Sequence, residues 1–203
     1  MIGILSYGIG NVGSIRNMLK KVGAASAIVQ TAEELSACDK LILPGVGAFD
    51  TGMDLLEQSG MRGALDKAVE NGKPLLGICL GMQMLGRRSE EGKRPGLSYV
   101  PFDNIRFRLD SAQYKIPHMG WNYVAVTNTA DPLVQGFEPA MRYYFVHSYH
   151  ARCEDAGDAL MLCDYGYSFA AAVRRGNVWG TQFHPEKSHR FGMALMKNFA
   201  EGC

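Results

Sequence analysis

Apolar and polar positions fall into two textures along the chain. In the first half, short apolar runs alternate with stretches of helical spacing. Ile2-Gly3-Ile4-Leu5 reads as a strand, and after Tyr7-Gly8-Ile9-Gly10-Asn11-Val12-Gly13 the residues Ile15, Met18, Leu19 and Val22 fall at i, i+3, i+4 and i+7. Gly23 is the expected stop of that helix. A second strand, Ala27-Ile28-Val29, leads into Thr31-Ala32-Glu33-Glu34, a capping box that opens another helix. Lys40-Leu41-Ile42-Leu43 predicts a third strand, and residues 61–69 predict a helix ended by Asn71-Gly72. After Pro74, Leu75-Leu76-Gly77-Ile78 predicts a fourth, buried strand, followed by a Met- and Leu-rich helix.

The second half changes to short β runs at 121–126, 143–149, 159–162 and 170–173. Arg174-Arg175-Gly176-Asn177 joins the last of these to Val178-Trp179-Gly180-Thr181-Gln182-Phe183 as a hairpin. In a final helix, Leu195 and Phe199 share a face. Between the halves, residues 86–96 read as a polar loop whose charges form a solvated surface. The order predicts an α/β fold: a parallel βα sheet to which a mixed β layer returns, as one domain over residues 1–203.

Composition narrows the function classes. A chain of 203 residues with 21 basic and 20 acidic side chains carries no field that would attract nucleic acid or an anionic membrane. No run is long enough to span a bilayer and the N-terminal residues lack a secretory pattern, so a cytoplasmic protein is expected. Five cysteines without a C-x-x-C pair read as reduced thiols. No set of histidines has ligand spacing, so no metal is expected.

Candidate chemistry centres on Gly77-Ile78-Cys79-Leu80-Gly81, where strand meets helix. This is a nucleophile elbow with sulfur for oxygen: the glycines let the chain bend sharply, and the helix N-terminus favours the thiolate. A cysteine nucleophile needs an imidazole to move its proton and a carboxylate to orient that imidazole. His184-Pro185-Glu186 follows directly on a strand and supplies both. Pro44-Gly45-Val46-Gly47 reads either as an ordinary turn or, one strand before the elbow, as an oxyanion donor. His147 and Tyr149 alternate onto one strand face and are pocket candidates. Gly8-x-Gly10-x-x-Gly13 formally matches a dinucleotide fingerprint, but no acidic residue closes the second strand, which ends at Gln30. A cysteine sensor on the same scaffold is disfavoured, since a redox thiol needs no aligned acid-base pair.

The blocks Gly77-Ile78-Cys79-Leu80-Gly81-Met82-Gln83 and Phe183-His184-Pro185-Glu186 resemble the signatures of the class I, or triad, glutamine amidotransferases. Tyr7-Gly8-Ile9-Gly10-Asn11, Leu43-Pro44-Gly45-Val46-Gly47, Tyr144-Phe145-Val146-His147-Ser148-Tyr149 and above all Ile116-Pro117-His118-Met119-Gly120-Trp121-Asn122 resemble the branch that supplies ammonia to imidazole glycerol phosphate synthesis. That last block separates it from glutaminases serving pyridoxal phosphate or anthranilate synthesis.

The resemblance implies a flavodoxin-like central sheet flanked by helices, and a glutaminase without cofactor. It implies Cys79 as nucleophile, His184 as acid and base, and Glu186 as orienter. It further implies an oxyanion hole at Val46, Gly47 and Leu80, and substrate contacts at Gly45, Gln83, His147, Ser148 and Tyr149. The implied partner is a (β/α)8-barrel cyclase subunit in a heterodimer, met by Asn11, Trp121 and Lys187. That cyclase forms imidazole glycerol phosphate and AICAR, and the 44–47 loop is expected not to be productively set until it is engaged.

Overall fold

In the computed structural model of the chain, which describes residues 1–138 and 140–203, the apolar runs of the first half become parallel strands. They are β1 (Ile2–Leu5), β2 (Ser26–Val29), β3 (Lys40–Gly45) and β4 (Leu75–Cys79), side by side in the order β2-β1-β3-β4. Burial of β1, β3 and β4 runs along almost their whole length, because helices cover both faces of the sheet; such strands read as continuous apolar runs.

The helices of this half close the βα connections. In α1 (Val12–Lys21), Ile15, Met18 and Leu19 are buried, and Gly23 lies beyond its end at φ 81. The capping box forms at α2 (Ala32–Ser36): Glu34 N–H donates to Thr31 Oγ1, and the Glu34 carboxylate accepts from Thr31 N–H. Then come α3 (Phe49–Gln58), α4 (Arg62–Glu70) and the short α5 (Leu80–Met84), which is entirely buried. Sequence patterning missed α3. Its buried residues Phe49, Met53 and Leu56 have helical spacing, but Gly52 interrupts them, and Gly52 is there because a Cβ would meet Leu80 and Met84 side chains at 3.0 Å.

The second half comprises β5 (Arg88–Ser89), β6 (Phe102–Arg106), β7 (His118–Tyr123), β8 (Ala125–Val126), β9 (Arg142–His147), β10 (Tyr149–Cys153), β11 (Ala159–Tyr165), β12 (Tyr167–Arg175), β13 (Val178–Thr181) and α6 (His189–Gly202). β13 is the joint: it runs parallel to β4 and antiparallel to β12, so the sheet continues β4-β13-β12-β10-β6-β5. β7 and β9 form a separate antiparallel ribbon. The expected parallel sheet with a returning mixed layer is therefore what forms. Leu195 and Phe199 of α6 are both fully buried. Among the described residues no helix is long and apolar enough to cross a membrane.

Two expectations need correction, and one strand went unanticipated. The run at 143–149 is two strands that part at Ser148, so His147 and Tyr149 are not alternate positions on one strand. β6 was unforeseen because Phe-Asp-Asn-Ile-Arg looks polar. Its Asp103 and Asn104 are nevertheless buried, Asp103 paired with Arg87 and Arg88, and Asn104 Nδ2 donating to the Gln83 and Arg88 carbonyls. The 86–96 loop is exposed in places yet tied down. Asp50 accepts from the Lys93 and Arg94 amides, and Glu91 accepts from Phe49 N–H at the start of α3, whose N-cap Ala48 has no side-chain cap to offer.

Candidate active site

Cys79 ends β4 with φ 55 and ψ −109, a conformation that costs an L side chain energy and turns it out of the sheet. Its neighbours are glycine because backbone lies against backbone. A Cβ on Gly77 would meet the Gly81 carbonyl oxygen at 2.7 Å, one on Gly45 would meet Gly81 N at 2.7 Å, and one on Gly81 would run into the Leu43 carbonyl. Gly45 pairs in register with Cys79, so the loop leaving β3 begins beside the sulfur. Tyr7 Oη–H donates to the Pro44 carbonyl of that loop, and Gly10 (φ 96) packs so close that a Cβ would meet Pro44 Cβ at 2.9 Å. The Gly-rich segment after β1 thus props the 44–47 loop, where Gly47 takes φ 98.

His184 follows β13, and because β13 and β4 are parallel neighbours, Cys79 and His184 emerge at the same end of the sheet. His184 N–H donates to the Tyr144 carbonyl at 3.0 Å, and Ser188 Oγ–H donates to the His184 carbonyl at 2.6 Å while accepting from Tyr144 N–H. Held so, His184 Nδ1 lies 2.8 Å from Glu186 Oε1, with both side chains only 2% exposed. Burial opposes charge on the ring, but the Cys79 sulfur and the Glu186 carboxylate outweigh it and hold its pKa up at about 9. Among the described residues, Nε2 has no hydrogen-bond partner.

A cavity of about 450 Å³ opens over this pair. Of the anticipated residues it brings together Val46, Gly47, Cys79, Leu80, Gln83, His147, Ser148, Tyr149, His184 and Lys187. Gly45, the last residue of β3, and Glu186, hydrogen-bonded to His184, do not line it. The His147 ring, 5% exposed, spends both nitrogens on protein atoms, Nδ1 at 2.7 Å from the Tyr149 carbonyl and Nε2 at 3.0 Å from His118. Glu91, Pro117 and Val146 also line the cavity. Glu91 comes from the loop read as solvated surface, so that reading is too simple.

Sequence reasoning also passed over Tyr7 and Gln182. Gln182 is fully buried; its Oε1 accepts from Gln83 Nε2 at 3.0 Å, and its own Nε2 is 3.9 Å from Cys79 Sγ. Tyr7 opens the Gly-rich segment and Gln182 lies two residues before His184, but their roles arise from contacts distant in sequence. The three anticipated interface residues are surface groups. Asn11 caps α1, Trp121 is 42% exposed beside Met119 and Tyr123 on the outer face of β7, and Lys187 stands over the Tyr144 ring.

Comparison with known proteins shows the family and the fold. The family model "Glutamine amidotransferase class-I" matches residues 4–203. A Pseudomonas aeruginosa protein named imidazole glycerol phosphate synthase subunit HisH 2 is 50% identical over 202 residues, covering 99% of each chain. A Methanococcus maripaludis protein of the same name is 49% identical, covering 98% of each. Among solved structures, PurLQS from Thermotoga maritima superposes with a TM-score of 0.76 at 20% identity, covering 98% of this chain and 96% of that one. The glutaminase domain of a Trypanosoma brucei CTPS gives 0.65 at 16% identity, covering 98% and 93%.

Proposed function

The chain belongs to the class I glutamine amidotransferases, and from that premise we propose that it is the glutaminase subunit of an imidazole glycerol phosphate synthase. The observation that carries the catalytic assignment is the buried His184–Glu186 pair, 2.8 Å apart, at the same sheet end as the strained Cys79.

The Cys79 thiolate attacks the side-chain carboxamide carbon of glutamine, and the carbonyl π electrons move onto oxygen. Backbone N–H groups of Leu80 and of Val46 or Gly47 hold that oxyanion. As the C–N bond breaks, His184 gives its Nε2 proton to the leaving nitrogen and ammonia departs, leaving a γ-glutamyl thioester. The now neutral His184 takes a proton from water, which attacks the thioester; glutamate leaves and the thiolate returns. Glu186 keeps Nδ1 protonated, so that Nε2 is the atom that exchanges protons. Gln83 and the 147–149 backbone, above Gly45, receive the amino-acid end of the substrate. The protein works in the cytoplasm as a heterodimer with the cyclase subunit, which meets the Asn11, Trp121 and Lys187 surface and receives the ammonia.

Because acylation needs His184 protonated, kcat/KM for glutamine is expected to fall as pH rises through about 9. Glu186→Gln removes one of the two groups that raise this pKa, so the alkaline limb should move to lower pH. An unmoved limb would detach Glu186 from the imidazole.

The functional reading is tested with amide-15N glutamine, the cyclase subunit and its ribonucleotide substrate. The imidazole glycerol phosphate formed should carry 15N, and glutamate release should rise at least tenfold over the chain alone. Unlabelled product, or full glutaminase activity without the cyclase, contradicts the assignment of partner and of partner-gated activity respectively.

A further inference from the structure

Beside the cavity lie buried histidines whose rings the reaction above does not use. His118 on β7 and His147 at the end of β9 are cross-strand partners, and His118 Nδ1 is 3.0 Å from His147 Nε2. The hydrogens along this chain are set by its ends. The Tyr149 carbonyl oxygen can only accept, and it lies 2.7 Å from His147 Nδ1, so Nδ1 carries the hydrogen. In the neutral ring Nε2 is then an acceptor, and His118 Nδ1–H donates to it. His118 Nε2 is left to accept from Asn122 Nδ2, 3.3 Å away. Asn122 is itself oriented: Nδ2 also donates to the Asp164 carbonyl at 2.9 Å, and Oδ1 accepts from Tyr123 N–H at 2.8 Å.

Both rings are kept neutral near pH 7, since burial lowers the pKa of His118 to about 4 and that of His147 to about 3. Phe107, Phe145 and Tyr165 enclose them, Tyr165 stacked on His118 with centroids 4.1 Å apart. At the far end, the Tyr149 carbonyl accepts a second hydrogen bond, 3.2 Å from Gln83 Nε2, whose other N–H goes to Gln182. The chain from Asn122 thus terminates on the carbonyl that anchors the Gln83 amide in the pocket.

We infer that His118 and His147 are positioning residues: the neutral pair carries one hydrogen-bond direction from Asn122 to the Tyr149 carbonyl and so fixes the backbone and the Gln83 amide against which glutamine docks. This rests on the reading that the cavity binds glutamine.

Two measurements test it. Imidazole 15N spectra of the full chain at pH 7 should show His118 and His147 as neutral Nδ1–H tautomers; an Nε2–H tautomer or a cation at either ring overturns the inference without any variant. In the complex with the cyclase subunit, His118→Leu should raise KM for glutamine at least fivefold while kcat changes less than threefold, by leaving His147 Nε2 without its donor. His118→Asn, which keeps a donor at the Nδ1 place, should bring KM back to within about threefold of wild type. A folded His118→Leu protein with wild-type KM, or equal loss in both variants, overturns the inference. A wild-type complex without glutaminase activity instead overturns the reading beneath it, which the tautomer spectra leave untouched.

Discussion

Cys79→Ala is expected to lower glutamine turnover in the complex on the order of ten-thousandfold or more while the protein stays folded. The sulfur is the atom that bonds to the substrate; without it no thioester can form, and water would have to attack the amide directly. The same position should reveal its strain. Cys79→Gly is expected to be more stable than Cys79→Ala by about 1–2 kcal/mol, because φ 55 with ψ −109 is costly for a side chain bearing a Cβ and not for glycine. Glutamate release and urea midpoints measure the two effects. A folded Cys79→Ala protein retaining more than about a hundredth of wild-type turnover would remove the cysteine from the mechanism.

The second large effect is structural. Gly81→Ala places a methyl group against the Leu43 carbonyl, a backbone atom that cannot swing away. Either α5 or the end of β3 must shift, and with it the loop that carries Val46 and Gly47. A loss on the order of 3–5 kcal/mol is expected, together with loss of activity at temperatures where the variant still folds. Gly63→Ala is the control. Gly63 lies on the exposed side of α4, and a Cβ there would have nothing within 4 Å, so alanine should stabilise by about 0.5–1 kcal/mol. Gly81→Ala with wild-type stability would mean that the close approach of β3 and α5 is not a requirement of the elbow.

How far the fold was legible follows from which contacts are local. Parallel strands covered on both faces appear as unbroken apolar runs, so β1, β3 and β4 stood out, as did the capping box of α2 and the glycine beyond α1. Elements whose composition answers to distant neighbours did not. Gly52 in α3 makes room for Leu80 and Met84, and the polar pair Asp103-Asn104 in β6 is buried against arginines and the Gln83 carbonyl. The same divide runs through the site. Cys79, His184 and Glu186 sit in compact motifs, whereas Tyr7, Gln182 and the His118–His147 pair acquire their contacts from residues dozens of positions away. The Gly8-x-Gly10-x-x-Gly13 pattern, only a formal match to a dinucleotide fingerprint, brings Gly10 against Pro44.

The thiols of the chain differ in a way that a chemical probe can read. Burial, reinforced by nearby carboxylates, pushes Cys153 up to about 11 and both Cys163 and Cys203 up to about 12, and burial also raises Cys38. Cys79 lines the cavity of about 450 Å³ together with His184. In the complex with the cyclase subunit and its ligand, a glutamine-analogue electrophile mapped by mass spectrometry should place one label per chain, on Cys79, with free glutamine protecting it. Label on any other cysteine, or undiminished labelling of Cys79→Ser, would contradict the assignment of Cys79 as nucleophile.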